Sequence, residues 1–132
     1  MSDNGLVSIP SSQPARGTLD RLTAALASRG LAVFARVDHA AGAASVGLSL
    51  RPTELVIFGN PRGGTALMQE RQTSGIDLPL KILVWDDAGG KTWLAYNDPE
   101  WIARRHGLGA ASEPAVKAMT GLLAAIAQEA TK

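Results

Sequence analysis

The sequence contains no cysteine, few aromatic residues and no long hydrophobic run. The absence of cysteine from its 132 residues excludes disulfides, thiol nucleophiles and zinc sites built on thiolates. Aromatic residues make up 5% of the chain, too few for a base-stacking platform. No apolar run approaches the roughly 20 residues of a membrane span, so we expect no membrane partner. The N-terminus lacks the regions of a signal peptide, so we expect a cytoplasmic protein.

The charged residues are balanced and dispersed. Thirteen basic and twelve acidic residues give a net charge of +1, and Arg104–Arg105 is the only adjacent basic pair. Because proteins that bind nucleic acid neutralise phosphates with clustered basic side chains, we expect no nucleic-acid partner. Hydrophobic residues form 45% of the chain, enough for the core of one domain. We assign residues 18–132 to that domain and residues 1–17 to a loose segment with a possible edge strand.

Apolar periodicity predicts helices and strands in an irregular order. Thr18 is a predicted N-cap for a helix at Leu19–Arg29, which ends at a glycine. Further helices are predicted at Thr65–Gln72, after Asp98 and after Ser112, with a helical turn at His39–Ser45. Strands are predicted at Leu31–Asp38, Glu54–Phe58, Leu78–Trp85 and Lys91–Asn97, the last two forming a hairpin.

This order predicts the fold class. The elements follow a β-α-β-β-β-β-α-like order, without the regular alternation of a parallel sheet. We therefore predict a single two-layer α+β domain. Its sheet of about four to five strands is mostly antiparallel, and the two long amphipathic helices pack on one face.

Four motifs carry a family resemblance that covers the chain from about Gly17 to its end. They are Val37-Asp38-His39, the segment Arg51–Pro61, the segment Asp77–Trp85, and Tyr96–Pro99 followed by Arg105–Leu108. In combination, the chain resembles the domain-of-unknown-function 302 family. The resemblance implies a curved antiparallel sheet backed by helices, and a homodimer. It implies no established activity and assigns no catalytic residue, and the cofactor stays unknown.

The segment Gly59–Thr65 combines a strand end, a glycine-rich turn and a predicted helix start. Gly59 and Gly64 have the spacing of the two glycines in a phosphate-binding loop, but Thr65 stands where that loop needs lysine. A nucleotide-hydrolysing site is therefore excluded. Two interpretations stay open. The segment either turns the chain, or it binds a small anion through backbone N–H groups and Arg62.

The two histidines, His39 and His106, are the candidate acid–base groups. His106 follows two arginines at a helix C-terminus, where positive charge is favourable, so its position has a structural explanation. His39 ends a strand and has none, which makes it the better functional candidate. No carboxylate spacing motif accompanies either histidine, so we predict no metal site.

Trp85 and Trp93 lie about equally far from the hairpin turn and are predicted to stack across the two strands. Trp85 could also form the apolar wall of a ligand crevice. Asp86 and Asp87 are interpreted as turn residues, as is Asp77 before Leu78-Pro79.

Three functional hypotheses remain open. The first is a non-catalytic ligand-binding or sensing module, a homodimer whose crevice lies where the Gly59–Thr65 segment meets two other strand ends. The second is an enzyme that uses His39 as general base on a small organic substrate. The third is an assembly module. The predicted ligand-binding residues of the first hypothesis are His39, Asn60, Arg62, Gly63, Gly64, Thr65, Trp85 and Asn97.

Overall fold

The computed structural model describes residues 4–132, with Pro61 described by its backbone alone. The elements follow in the order β1 (Leu6–Pro10), α1 (Ala15–Ser28), β2 (Ala32–Asp38), α2 (His39–Ser45), β3 (Thr53–Gly59), α3 (Pro61–Glu70), a 3-10 helix (Gln72–Asp77), β4 (Leu80–Asp86), β5 (Thr92–Asn97), α4 (Pro99–His106) and α5 (Glu113–Thr131).

The strands form one five-stranded sheet in the order β1-β5-β4-β3-β2. Every neighbouring pair is antiparallel. The predicted α+β fold with a mostly antiparallel sheet is therefore confirmed. β1 and β2 are the two edge strands, and both lie far in sequence from the central strand β4.

One face of the sheet forms the core with α1 and α5. Val56, Ile82 and Tyr96 lie side by side on this face, because Ile82 pairs with Val56 on one side and Tyr96 on the other. The helices contribute completely buried leucine and isoleucine side chains, namely Leu22, Leu26, Leu123 and Ile126. Burial of an apolar side chain of this size contributes about 1.5–3 kcal/mol, so this layer provides most of the stability.

The opposite face of the sheet, here called the open face, carries apolar side chains that are half-buried. Leu55 pairs with Leu83, and Trp85 pairs with Trp93. The two indole rings are stacked, with centroids 6.1 Å apart and planes 19° apart. The predicted cross-strand tryptophan pair is confirmed.

Helix α1 begins four residues earlier than the sequence pattern predicts. Its N-cap is Pro14, whose φ of −62° already suits a helix start. Thr18 is therefore not the cap but a completely buried residue of the first turns. Its Oγ1 donates to the carbonyl of Pro14 at 3.0 Å and lies 2.6 Å from Oγ of Ser11.

Candidate functional site

Helix α3 begins within the segment that the sequence predicts to be a turn. Asn60 is its N-cap, since the side-chain Oδ1 accepts a hydrogen bond from the backbone N–H of Arg62 at 3.0 Å. Pro61 occupies the first helical position, for which proline is well suited. The predicted helix start at Thr65 is therefore wrong. The asparagine–proline start signal precedes the glycine pair, and Gly63 and Gly64 lie inside the helix.

The far end of α3 is anchored to the loop before α5. Glu70 accepts hydrogen bonds from the hydroxyl of Ser112 at 2.6 Å and from the backbone N–H of Gly109 at 2.8 Å. The Ser112 hydroxyl, together with this N–H, holds the pKa of Glu70 below its usual value. Ser112 is completely buried. Helix α3 is thus fixed at both ends, which positions the residues between them.

A cavity of about 280 Å³ lies beside α3. Its lining is almost wholly apolar and comes from β2, β3, α3, the 3-10 helix, β4 and α5. The lining residues are Phe34, Gly59, Asn60, Gly64, Thr65, Met68, Gly75, Leu78, Pro79, Leu80 and Met119. An apolar cavity with a few polar groups at its margin is the usual form of a small-molecule site.

A second cavity of about 220 Å³ adjoins the first. Its own lining includes Arg62, Gly63 and apolar residues of α5. The two cavities share four lining residues, Gly59, Asn60, Leu80 and Met119. We therefore treat them as two lobes of one groove, which passes the N-terminal end of α3. The first is called the Phe34 lobe and the second the Arg62 lobe.

Glycines make room for the groove. A Cβ atom at Gly64 would lie 3.6 Å from a methyl carbon of Leu78, and one at Gly75 would lie 3.1 Å from the sulfur of Met68. A Cβ atom at Gly63 would lie 3.3 Å from the terminal methyl of Met119. Larger residues here would occupy the lobes or push the methionines into them. The glycine-rich composition of this segment therefore creates space, where the sequence suggested a turn.

The structure brings together five of the predicted ligand-binding residues. Asn60, Gly64 and Thr65 line the Phe34 lobe. Asn60 also lines the Arg62 lobe, with Arg62 and Gly63. Asn97 lies at the same end of the sheet, but β4 separates its strand from β3, which places it about 10 Å away at ordinary strand spacing. Neither lobe is lined by Asn97.

His39 and Trp85 lie at the other end of the sheet. His39 follows Asp38, which pairs with Glu54 near the start of β3, whereas Asn60 follows the end of β3. The length of that strand separates the two groups by about 20 Å. The predicted crevice joining the Gly59–Thr65 segment to His39 is therefore wrong. The cause is the antiparallel pairing of β2 with β3, which places the C-terminal ends of these two strands at opposite ends of the sheet.

The geometry gives the general-base hypothesis no support. His39 is the first residue of the exposed helix α2, and neither a carboxylate nor a hydroxyl of the described residues hydrogen bonds to it. His106 lies near the N-terminal end of β4, so the two histidines do not converge. Helix α2 itself confirms the predicted helical turn, with Asp38 as N-cap.

A polar cluster missed by the sequence analysis adjoins the Phe34 lobe. His106 Nε2 lies 2.6 Å from Oδ2 of Asp77, and its Nδ1 lies 3.1 Å from the hydroxyl of Thr73. Arg105 donates to both carboxylate oxygens of Asp77 at 2.9 and 3.0 Å. In the sequence, the residues that could have indicated this cluster are the acidic Asp77 and the basic pair Arg105–His106. Periodicity could not show that they meet.

Residues 4–132 contain neither a metal-binding cluster nor a membrane-spanning helix. No group of three His, Cys, Asp or Glu side chains in this range is arranged to hold a metal ion. No helix in the same range is both long enough and apolar enough to cross a bilayer.

Comparison with known proteins gives a family and a fold. The family model described as "Domain of unknown function DUF302" matches residues 7–126. A solved protein titled "Crystal structure of uncharacterized conserved protein DUF302 from Bacillus stearothermophilus" has a TM-score of 0.84 to this chain. The two are 19% identical, and the match covers 97% of this chain and 98% of that chain. At this identity, the likeness shows the fold alone.

Two curated relatives carry the name of an ion channel. A protein of Brucella suis biovar 1 (strain 1330) named "Fluoride-specific ion channel FluC 1" is 53% identical over 117 residues. A protein of the same name from Brucella abortus biovar 1 (strain 9-941) has the same identity over the same length. The match covers 89% of this chain, but only 46% and 43% of the relatives. The chain thus spans less than half the length of each.

Proposed function

The chain belongs to the DUF302 family, named for a function still unassigned, and we propose that it is a small-ligand-binding or sensing module that acts as a homodimer. The observation that carries the binding function is the groove beside α3. Its Phe34 lobe of about 280 Å³ approaches the lower size of ordinary small-molecule pockets. The flexible side chains of Met68 and Met119, which line this lobe, can adapt to the shape of a ligand.

The two methionines also provide the test. The chain contains three methionines, and two of them, Met68 and Met119, line the groove. Protein labelled with ¹³C in the methionine methyl groups should therefore show two resonances that respond to a ligand in the groove. We expect 1-decanol or a flat aromatic such as naphthalene to shift the Met68 and Met119 resonances together, with one saturation curve. Absence of any shift at the solubility limit of both probes would overturn the proposed function.

The homodimer is supported by a second region. The arm, defined as β2, α2 and residues 46–50, leaves all seven residues of β2 exposed and buries none of α2. It exposes large apolar side chains at Val33, Phe34, Val37, Val46, Leu48 and Leu50. Contiguous apolar patches beyond a few hundred Å² are rare on monomers and mark association surfaces. Because Phe34 belongs to both the arm and the groove, self-association through the arm would place the partner beside the Phe34 lobe.

The relatives favour a second candidate, a sensor domain for fluoride. Two proteins named fluoride-specific channels contain a segment 53% identical to this chain. Fluoride should then perturb specific backbone amide resonances when sodium fluoride is compared with sodium chloride at equal ionic strength. The amides around Arg62 are where we expect these changes, because that guanidinium is the cation of the groove. Equal spectra in the two salts would overturn this candidate and leave the ligand groove unaffected.

A further inference from the structure

The two lobes of the groove differ in chemistry, and the difference identifies a class of ligand. The Phe34 lobe is lined by apolar side chains and glycine backbone, with Asn60 and Thr65 as its polar residues. The Arg62 lobe adds one guanidinium and shares Asn60, and the rest of its lining, which includes Leu31 and Leu122, is apolar side chains and glycine backbone. Among the described side chains lining these two lobes, Arg62 carries the one positive charge, and none is an Asp or a Glu.

Arg62 is available for a ligand. Its side chain is exposed, and no carboxylate of residues 4–132 forms an ion pair with it. Arg29, Arg36 and Arg105 each have a carboxylate partner, and they line neither lobe. A guanidinium can hold both oxygens of a carboxylate in a paired geometry, which a hydroxyl cannot match.

Asn60 supplies a donor at the junction of the lobes. Its Oδ1 accepts the capping hydrogen bond from Arg62 N–H, which directs its oxygen toward the helix. The amide Nδ2 is then left with two donors for a ligand. Because Asn60 lines both lobes, a polar head held by Arg62 and Asn60 can extend an apolar tail past Met119 into the Phe34 lobe.

We propose that the groove binds a medium-chain carboxylate, with its aliphatic tail in the Phe34 lobe and its carboxylate against Arg62 and Asn60. This inference rests on the proposed function, since it specifies the ligand of the same groove. It combines the apolar lining, which favours an alkyl chain, with the single cation, which selects a negative head. Affinity should rise about fourfold with each methylene buried and stop rising when the lobe is full.

Calorimetric titrations with octanoate, decanoate and 1-decanol, below their micelle or solubility limits, test the proposal. We expect decanoate to bind about tenfold more tightly than 1-decanol, as a charge-assisted hydrogen bond predicts. Arg62→Gln should lower the decanoate affinity about tenfold and leave that of 1-decanol unchanged. Arg16→Gln, at an exposed position on α1, is the matched control and should change neither affinity.

The outcomes separate this inference from the proposed function. If 1-decanol and decanoate bind equally and Arg62→Gln has no effect, the carboxylate class is overturned while the groove remains a binding site. Tighter binding of decylamine than of decanoate would overturn it in the same way. If none of these probes binds and the methionine methyl resonances stay unchanged, the proposed function fails together with the inference.

Discussion

The imidazole Nε2 of His106 lies 2.6 Å from the carboxylate Oδ2 of Asp77, and this contact joins the end of α4 to the segment before β4. Asp77 stands between two residues that line the Phe34 lobe, Gly75 and Leu78. The side chains of His106 and Asp77 are 7% and 13% exposed, so the pair is largely shielded from water. The contact therefore holds one wall of the groove in place.

We predict that Asp77→Ala lowers the free energy of unfolding by about 1–3 kcal/mol, because it leaves the nearly buried His106 without its partner. Arg105→Ala should change it by less than about 1 kcal/mol, since Arg105 is 48% exposed and surface ion pairs contribute little. Urea denaturation at pH 7 measures both variants. Equal losses of unfolding free energy in the two variants would show that the burial of His106 does not determine the effect of removing Asp77.

Replacing Gly64 by alanine should stabilise the protein while weakening ligand binding. The added Cβ lies in ordinary contact with Leu78 and Met68 inside the Phe34 lobe, and the helix gains about 0.5–1 kcal/mol from losing a glycine. Gly121→Ala in α5 is the matched control, because a Cβ there meets nothing within 4 Å. Both variants should raise the unfolding temperature, and only Gly64→Ala should weaken 1-decanol binding. Unchanged binding by Gly64→Ala would argue against the groove.

Acid should weaken the anchor at the end of α3. The pKa of Glu70 is lowered in the folded protein, so its contribution to stability is complete above the usual value near 4.5 and is lost as the pH falls through the folded pKa. Glu70→Gln should therefore be less stable than the wild type at pH 7 and should lose less stability below pH 4.5.

Thermal unfolding at a series of pH values between 7 and 3 follows this loss. Glu113→Gln, which changes an exposed carboxylate paired with Lys117, is the control and should retain the wild-type pH profile. If Glu70→Gln and the wild type lose stability in parallel below pH 4.5, the carboxylate of Glu70 is not the titrating anchor.

Self-association should depend on the arm. Leu48 is 66% exposed there, and Ile76 on the 3-10 helix is 72% exposed outside it. We expect Leu48→Glu to shift the protein to a monomer, because a charge in an apolar interface is strongly unfavourable. Ile76→Glu should remain dimeric. Sedimentation velocity across a hundredfold range of concentration distinguishes these states, and a wild type that is monomeric throughout would overturn the proposed homodimer.

Local patterns predicted more of the fold than of the site. The hairpin strands β4 and β5 and the amphipathic helix after Ser112 follow from neighbours in sequence. The predicted starts of helices were less accurate, because several residues that favour a helix start lie within a few positions of one another. At α3, the asparagine–proline pair determines the start, and at α1 the chain turns at Pro14.

Alternation and adjacent residues were enough to predict the α+β class and the cross-strand pair of Trp85 and Trp93. They also singled out the Gly59–Thr65 segment, six of whose described residues line the groove. Long-range packing sets the other relationships: His39 lies about 20 Å from Asn60, Asp77 meets His106, and Phe34 and Met119 enclose a cavity with α3. These relationships join residues distant in the chain, and strand order and helix packing set them.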